Sequence, residues 1–401
     1  MLSYNLKAGI SCFFLTILFA TARIDAQEAA RAKPRARDLG VPFDGTPGPF
    51  NAITDVPGVT VGHTTLISGE GPLQVGKGPI RTGVTAVIPL GKQSMDTPVF
   101  GGWWSLNGHG EMTGTTYVEE SGLLEGPVMI TTTHSVGTVH DAVIQWRVTH
   151  GSPDADGYWW SLPVVGETWD GWLNDVNGFH VKPEHAFHAL ESARSGPVEE
   201  GNVGGGTGMI CNEFKGGIGT SSRKPDTASG GYTVGVLVQC NFGLRPNLRI
   251  AGVPVGREIT EDRVFASTPF ADEERGSIIV VVATDAPLLP FQLKRLARRV
   301  ALGLGRVGSV GGNGSGDIFI AFSTANPDAG RRDRIADLKM IPNSKMDALF
   351  AATVQATEES VVNAMVAAET MTGRDNHVVI ALPHDKLQAV LKKYNRLVEP
   401  K

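Results

Sequence analysis

The 401-residue chain has only 3 cysteines, which excludes a small secreted scaffold held together by disulfides. It has no excess of positive charge. Its 36 Lys and Arg stand against 41 Asp and Glu, a formal net charge of -5, so the electrostatic footprint of a nucleic-acid binder is missing. No HExxH and no His, Cys or carboxylate cluster with ligand spacing marks a metal centre. The GK[ST] of a phosphate-binding P-loop is absent, and no repeat of solenoid length recurs. Charged residues make up 19% and hydrophobic ones 41%, the balance of a globular chain rather than a disordered one. What is abundant is glycine, with 50 residues. They are dispersed without the period that defines collagen, which implies many tight turns or close backbone approaches.

Residues 1–26 read as a secretory signal peptide. Lys7 supplies the positive start, Ala8–Ala20 the apolar stretch, and Ala22 or Ala26 a small residue at the cut. The stretch is short of the roughly 20 residues that a membrane span needs, so export to the periplasm or beyond is expected, with no membrane attachment after removal. Cys211 and Cys240 then remain. In an oxidising compartment they can pair, or stay as two buried thiols, and spacing leaves both open.

Beyond a polar, then Pro- and Gly-rich lead-in over 27–50, expected to be exposed, the mature chain alternates strand-like and helical stretches. Val59–Leu66, Gly83–Leu90, Val128–Thr133 and Tyr232–Gln239 are β-branched runs bounded by Gly and Pro. Ile278–Ala283 is a continuous run of the kind buried on both faces of a sheet, and Asp317–Phe322 is another strand. Helices are expected from Pro183, over Gln292–Leu304 with its apolar face, over Lys345–Met371 between Asn343/Ser344 and Gly373, and over Asp385–Leu397, with Asp141–His150 a further candidate. This order predicts layered sheets flanked by helices.

Several short stretches carry candidate chemistry. Gly276-Ser277 follows the acidic stretch Thr268–Arg275 and enters the buried strand. It fits a loop-to-strand turn. It also fits a serine able to attack its own preceding carbonyl, leaving Ser277 with a free α-amine that titrates near pH ~8 and accepts the hydroxyl proton. The glycine run from Gly311 leads to Ser315 and Asp317, two residues apart and so able to point the same way once the strand begins; a flexible turn is the alternative. Asn241, after a strand, is either a turn former or an amide donor to an oxyanion. Glu167 to Trp172 combines carboxylates with indoles, suited either to gripping an ammonium group or to packing. His185 and His188 lie one helical turn apart, with nothing to complete a metal site.

Taken together, NFGLR…GVPVG (Asn241–Gly256), RGSIIVVVATDAPLLPFQLKRLARR (Arg275–Arg299) and GNGSGDIFIAFSTAN (Gly312–Asn326) resemble the DmpA/BapA-type aminopeptidases, the L-aminopeptidase/D-esterase-amidases and β-peptidyl aminopeptidases. The likeness runs from about Arg35 to near the C-terminus. It implies an α+β fold, a four-layer αββα sandwich resembling the N-terminal-nucleophile hydrolases, made as a precursor that cuts itself. On that basis the cut falls between Gly276 and Ser277, giving a large chain 27–276 and a small chain 277–401 of one catalytic domain. Ser277 would be the nucleophile, Ser315 and Asp317 its supports, Asn241 the oxyanion donor and Glu167 the grip on the substrate's amine. Where some members place an active-site tyrosine two residues after that glutamate, this chain has Trp169, whose indole neither acts as an acid nor accepts a proton. The implied substrates are small peptides and amino-acid amides or esters, the implied assembly is a homotetramer, and no metal or organic cofactor is required. Competing expectations are an acyltransferase of the ornithine acetyltransferase type, which typically uses threonine as nucleophile, and an unprocessed ligand-binding protein.

Overall fold

The stretch Ile278–Ala283 sits where an apolar run of alternating faces must sit, in the middle of a sheet covered on both sides. The structure is a computed structural model and describes residues 33–153, 157, 160–269, 271 and 273–399, apart from the side chain of Arg275. The expected signal peptide lies outside them. From Arg35 onward the chain is one compact unit.

In chain order the strands are β1 (Thr60–Ser68), β2 (Ile80–Ile88), β3 (Val99–Ser105), β4 (Leu123–Leu124), β5 (Val128–Thr132) and β6 (Val164–Thr168). A short hairpin β7 (Ile210–Cys211) and β8 (Phe214–Lys215) precedes β9 (Gly217–Arg223), β10 (Val234–Asn241), β11 (Arg275–Thr284) and β12 (Gly314–Ser323). The principal helices are α1 (Thr115–Ser121), α2 (Val136–His150), α3 (Pro183–Glu191), α4 (Pro290–Arg306), α5 (Asp347–Val366) and α6 (His384–Lys393). One sheet has the order β1-β2-β5-β6 and the other β4-β3-β12-β11-β10-β9. Most neighbours are antiparallel; β11 and β12 are parallel, as are β5 and β6.

Side-chain alternation along β11 builds the layers. Ile279, Val281 and Ala283 meet Ile318, Ile320 and Phe322 of β12 and, from the facing sheet, Val87, Ile130 and Val164. Ile278, Val280 and Val282 point the other way, into Leu293, Leu296, Val300 and Leu304 of α4 and Val361, Val362 and Met365 of α5. Val84, Ala86 and Met129 of the smaller sheet pack on Val139, Val143, Ala189 and Leu190 of α2 and α3. The result is helix, sheet, sheet, helix: the four-layer αββα sandwich. Each fully buried aliphatic side chain in these layers is worth roughly 1.5–3 kcal/mol.

The differences from the sequence reading have local causes. The lead-in is pinned from Arg35 onward instead of exposed. Arg35 bonds Glu200 at 2.7 Å and Arg37 bonds Glu359 at 2.8 Å. Glu359, buried inside α5, also holds Arg223 at 2.6 Å and Asn51 at 2.6 Å. Helix α5 is shorter than expected. Asn343 does not cap it but accepts from Gln292 and Arg295, and Met371-Thr372 leaves the helix to pair with Val378-Val379. Gly373 is therefore not a helix stop. It lies against the Leu173 backbone, where a Cβ would come within 2.2 Å of a carbonyl. Strands β3, β6 and β9 escape the pattern because glycines interrupt them at close approaches. A Cβ on Gly219 would stand 2.0 Å from the Ser360 carbonyl of α5. Of the two readings for the cysteines, the structure takes the first: Cys211 and Cys240 are fully buried and joined as a disulfide.

Candidate active site

Ser277 lies at the third position of β11, in register with Asn241 of β10 on one side and Gly316 of β12 on the other. It is buried, and its Oγ accepts a hydrogen bond from the Gly316 N–H at 3.2 Å. The preceding residue has to be glycine. Gly276 sits at φ +107°, and a Cβ there would be 1.9 Å from the Asn241 carbonyl oxygen. The peptide joining 276 and 277 is thus held in a conformation that L-residues avoid, pressed against a neighbouring backbone.

Ser315 and Asp317 do point the same way: the Ser315 hydroxyl donates to Asp317 Oδ1 at 2.6 Å, and both residues are fully buried. By register they share the face of Gly276 and Ile278, so they back the main chain of the 276–278 segment rather than lie beside the Ser277 side chain. Burial pushes the Asp317 carboxyl above the ordinary carboxylate range, against the pull of hydrogen bonds from Ser315, Asn107 and the Ile278 N–H.

Asn241 is fixed by both ends of its amide. Its Oδ1 accepts from the Ile210 N–H at 2.7 Å and its Nδ2 donates to the Trp169 carbonyl at 3.0 Å. That nitrogen stands 3.3 Å from where a Cβ on Gly276 would be, beside the candidate scissile bond.

Across the site, β6 delivers Glu167. The carboxylate is buried, accepting from the Glu111 N–H at 2.9 Å and from the Thr133 hydroxyl. Burial raises its pKa, those two donors opposing the rise. Among the described residues no Lys or Arg side chain is paired with it. Trp169, two residues on, is partly exposed and lays its indole across Gly171, where a Cβ would meet the ring at 2.4 Å. The other residues of that motif are structural. Asp170 is fully buried, its Oδ1 taking bonds from Thr132 at 2.8 Å and Asn174 at 3.0 Å, and Trp172 stacks on His377.

Ser277, Gly276, Glu167 and Trp169 line one cavity of about 600 Å³, together with Thr133, His109, Glu273, Glu274 and the glycine loop 312–314. Asn241, Ser315 and Asp317 are not among its lining residues; they adjoin the 276–278 segment, whose Gly276 and Ser277 are. The reading of the sequence missed Asn107, His109, Thr133 and Glu274. Asn107-Gly108-His109-Gly110, a polar turn spaced by glycines after the Trp103-Trp104 strand, is a signal that was available. Glu274 belongs to the acidic stretch before Gly276; its Oε2 accepts from the Gly312 N–H at 3.1 Å, and burial raises its pKa. His185 and His188 are helix and strand partners: one accepts from the Lys182 N–H at 2.9 Å, the other meets Thr64 at 3.1 Å. Among the described residues no group of three or more His, Cys, Asp or Glu side chains is placed to hold a metal ion.

A strand-start serine behind a strained glycine, in an αββα sandwich, defines the N-terminal-nucleophile-hydrolase class of fold. Comparison with known proteins narrows the class. The model of Peptidase family S58 matches residues 51–379, and the chain belongs to that family. It is 56% identical over 387 residues, covering 94% of this chain and 96% of the relative, to the beta-peptidyl aminopeptidase BapA of Sphingosinicella microcystinivorans. It is 51% identical, over the same shares, to that of Sphingosinicella xenopeptidilytica. Among solved structures it is similar to the L-aminopeptidase D-Ala-esterase/amidase of Ochrobactrum anthropi, described as a prototype of the serine aminopeptidases and a variant of the Ntn hydrolase fold. There the identity is 49% over 91% of this chain and 100% of that one, with a TM-score of 0.84. A Burkholderia sp. beta-aminopeptidase is similar at 45% identity over 90% and 99% of the two chains, with a TM-score of 0.82. The protein is a hydrolase, an aminopeptidase.

Proposed function

We propose that this chain is an exported, self-processing serine aminopeptidase that removes an N-terminal residue bearing a free amine, through an acyl-enzyme on Ser277. The observation that carries the proposal is the Gly276-Ser277 junction: a buried hydroxyl at the head of a central strand, lining a cavity shared with the Glu167 carboxylate, with which no Lys or Arg among the described residues pairs. Cutting before Ser277 frees the 27–276 and 277–401 segments, which stay together because β11 and β12 of the second pair with β10 and β3 of the first.

The new α-amine of Ser277, with a pKa near 8, is the proton acceptor. Glu167 pairs with the substrate's ammonium and so sets the first amide over Ser277. The hydroxyl oxygen attacks the carbonyl carbon and its proton passes to the α-amine. Ser315 and Asp317, behind the main chain at 276–278, stabilise that ammonium. Asn241 Nδ2 has two hydrogens and spends one on the Trp169 carbonyl, leaving the second for the oxyanion. The C–N bond breaks, the leaving amine takes the proton from the Ser277 ammonium, and water hydrolyses the ester. No step calls on a cofactor.

The acyl residue of the substrate would take the place that Gly276 holds in the uncut chain. There an L-residue's Cβ meets the Asn241 carbonyl, so a residue with an unsubstituted carbon next to its carbonyl fits. This favours β-residues, in keeping with the activity for which the curated relatives are named. Removal of residues 1–26, location in the periplasm or outside the cell, and assembly as a homotetramer belong to the same proposal. The test is a panel of β-, L-α- and D-α-aminoacyl p-nitroanilides with wild-type protein and Ser277→Ala. The expected result is hydrolysis led by β-aminoacyl substrates, and a full-length, inactive variant. An active Ser277→Ala protein would overturn the assignment.

A further inference from the structure

The turn after β3 takes no part in the chemistry above, yet it touches both walls of the site. Asn107 meets Asp317 with both ends of its amide. Its Oδ1 accepts from the Asp317 N–H at 2.6 Å, and its Nδ2 donates to Asp317 Oδ2 at 3.3 Å. The same nitrogen reaches the Gly312 carbonyl at 3.3 Å. The neighbouring Leu106 N–H donates to the Asp317 carbonyl at 2.9 Å. Further along, the His109 N–H donates to the Ser315 carbonyl at 3.3 Å. Gly110 lies flat on Gly316: a Cβ on Gly316 would be 2.5 Å from Gly110 Cα. The turn ends at Glu111, whose N–H binds Glu167 Oε1 at 2.9 Å.

We propose that Asn107 is a positioning residue for the reaction: it holds the Asp317 carboxylate, and through it the Ser315 hydroxyl, in place behind the amine end of Ser277. The inference rests on the reading of Ser277 as nucleophile. Asparagine is the residue that fits, because one planar amide offers an acceptor to the N–H and a donor to the carboxylate of the same neighbour. Aspartate would set a second carboxylate against Asp317, and alanine would leave Oδ2 without its donor.

The groups that face Asp317 are Ser315 on its own strand, the Ile278 N–H of β11, Glu274 from the segment before β11, and Asn107; His109, Glu273 and Glu167 stand further round the cavity. Burial already disfavours the ionised form of Asp317, and Asp317 in turn disfavours that of Glu274. Removing the Asn107 donor disfavours ionised Asp317 further, so Asp317 loses its charge at a higher pH and the acid limb of kcat/KM moves up.

The experiment compares wild type, Asn107→Ala and Asn107→Asp by time course of self-cutting, active-site titration, kcat and KM over about pH 5 to 9, and thermal melting. The expected result is a fall of about 10- to 100-fold in kcat per active site, the scale of a misplaced catalytic group. KM should stay within about 2-fold, since Glu167 is held by Glu111 and Thr133, and the acid limb should shift upward, most in Asn107→Asp. Variants that cut and turn over at the wild-type rate with an unshifted profile, whatever their melting temperature, overturn the proposal. Should Asn107→Ala fail to fold, Asn107→Asp keeps the acceptor for the Asp317 N–H and carries the same test. A wild-type chain that is active but uncut, or active without Ser277, sinks the nucleophile reading instead.

Discussion

Glu167→Gln keeps the shape of the side chain and removes its charge. In the free protein both carboxylate oxygens are occupied, by the Glu111 N–H and the Thr133 hydroxyl, and no cation compensates the charge among the described residues. The compensating cation is then the substrate's own ammonium. A hydrogen bond to a charged partner contributes about 1.5–3 kcal/mol, which at ~1.4 kcal/mol per decade is a loss of roughly 10- to 150-fold in kcat/KM for free-amine substrates. The variant should also lose a pH limb. Burial raises the Glu167 carboxyl above its ordinary range, so wild-type kcat/KM falls as pH drops through that raised value, and the part of the fall due to Glu167 disappears with glutamine. The fold itself should not suffer. A carboxyl with a raised folded-state pKa contributes stability at low pH that is lost as pH rises through the folded value, so glutamine should melt no lower than wild type near pH 8. The assay is steady-state hydrolysis of matched free-amine and N-acetylated anilides, with melting curves alongside. An equal loss on both substrate types, or none on the free amine, would refute the pairing.

Gly276→Ala has to place a Cβ 1.9 Å from a backbone oxygen at φ +107°; self-cutting should slow at least ~10-fold, at about 1–2 kcal/mol for the left-handed backbone alone, as read by gel densitometry over time. Glu359→Ala leaves Arg223 buried without its 2.6 Å partner and should cost about 3–5 kcal/mol in denaturant unfolding. Asp170 has its carboxyl pushed up to about 6 by burial, so its contribution is full below the unfolded value near 4 and is lost as pH rises to about 6. Asp170→Asn should therefore match wild-type stability near pH 4 and exceed it by about 1–3 kcal/mol at pH 8; a variant less stable at pH 8 would count against that account.

The strands and helices legible in the sequence were those whose apolar period is uninterrupted. Ile278–Ala283 and Gln292–Leu304 announce their faces because every other, or every third to fourth, side chain enters a core layer. β3, β6 and β9 do not, because glycine is required where a neighbouring backbone closes in, and glycine erases the period it serves. The site divides the same way. Ser315 and Asp317 follow from spacing on one strand, and their hydrogen bond bears that spacing out. The face they share with Gly276, not with the Ser277 side chain, depends on a parallel register that no local pattern carries. Asn107 and Glu111 reach Asp317 and Glu167 across large separations in sequence, and only the sandwich brings them there. Trp169 was visible as a departure from the tyrosine of some relatives; its place at the cavity rim follows from Gly171 beneath the ring.

The most direct test of the whole account is the intact mass of the purified, active protein under denaturing conditions, with N-terminal sequencing of whatever separates. The account predicts two polypeptides, the smaller beginning Ser277-Ile278-Ile279 and the larger ending at Gly276. Fully active protein that runs as a single uninterrupted chain through residues 276 and 277 would contradict it.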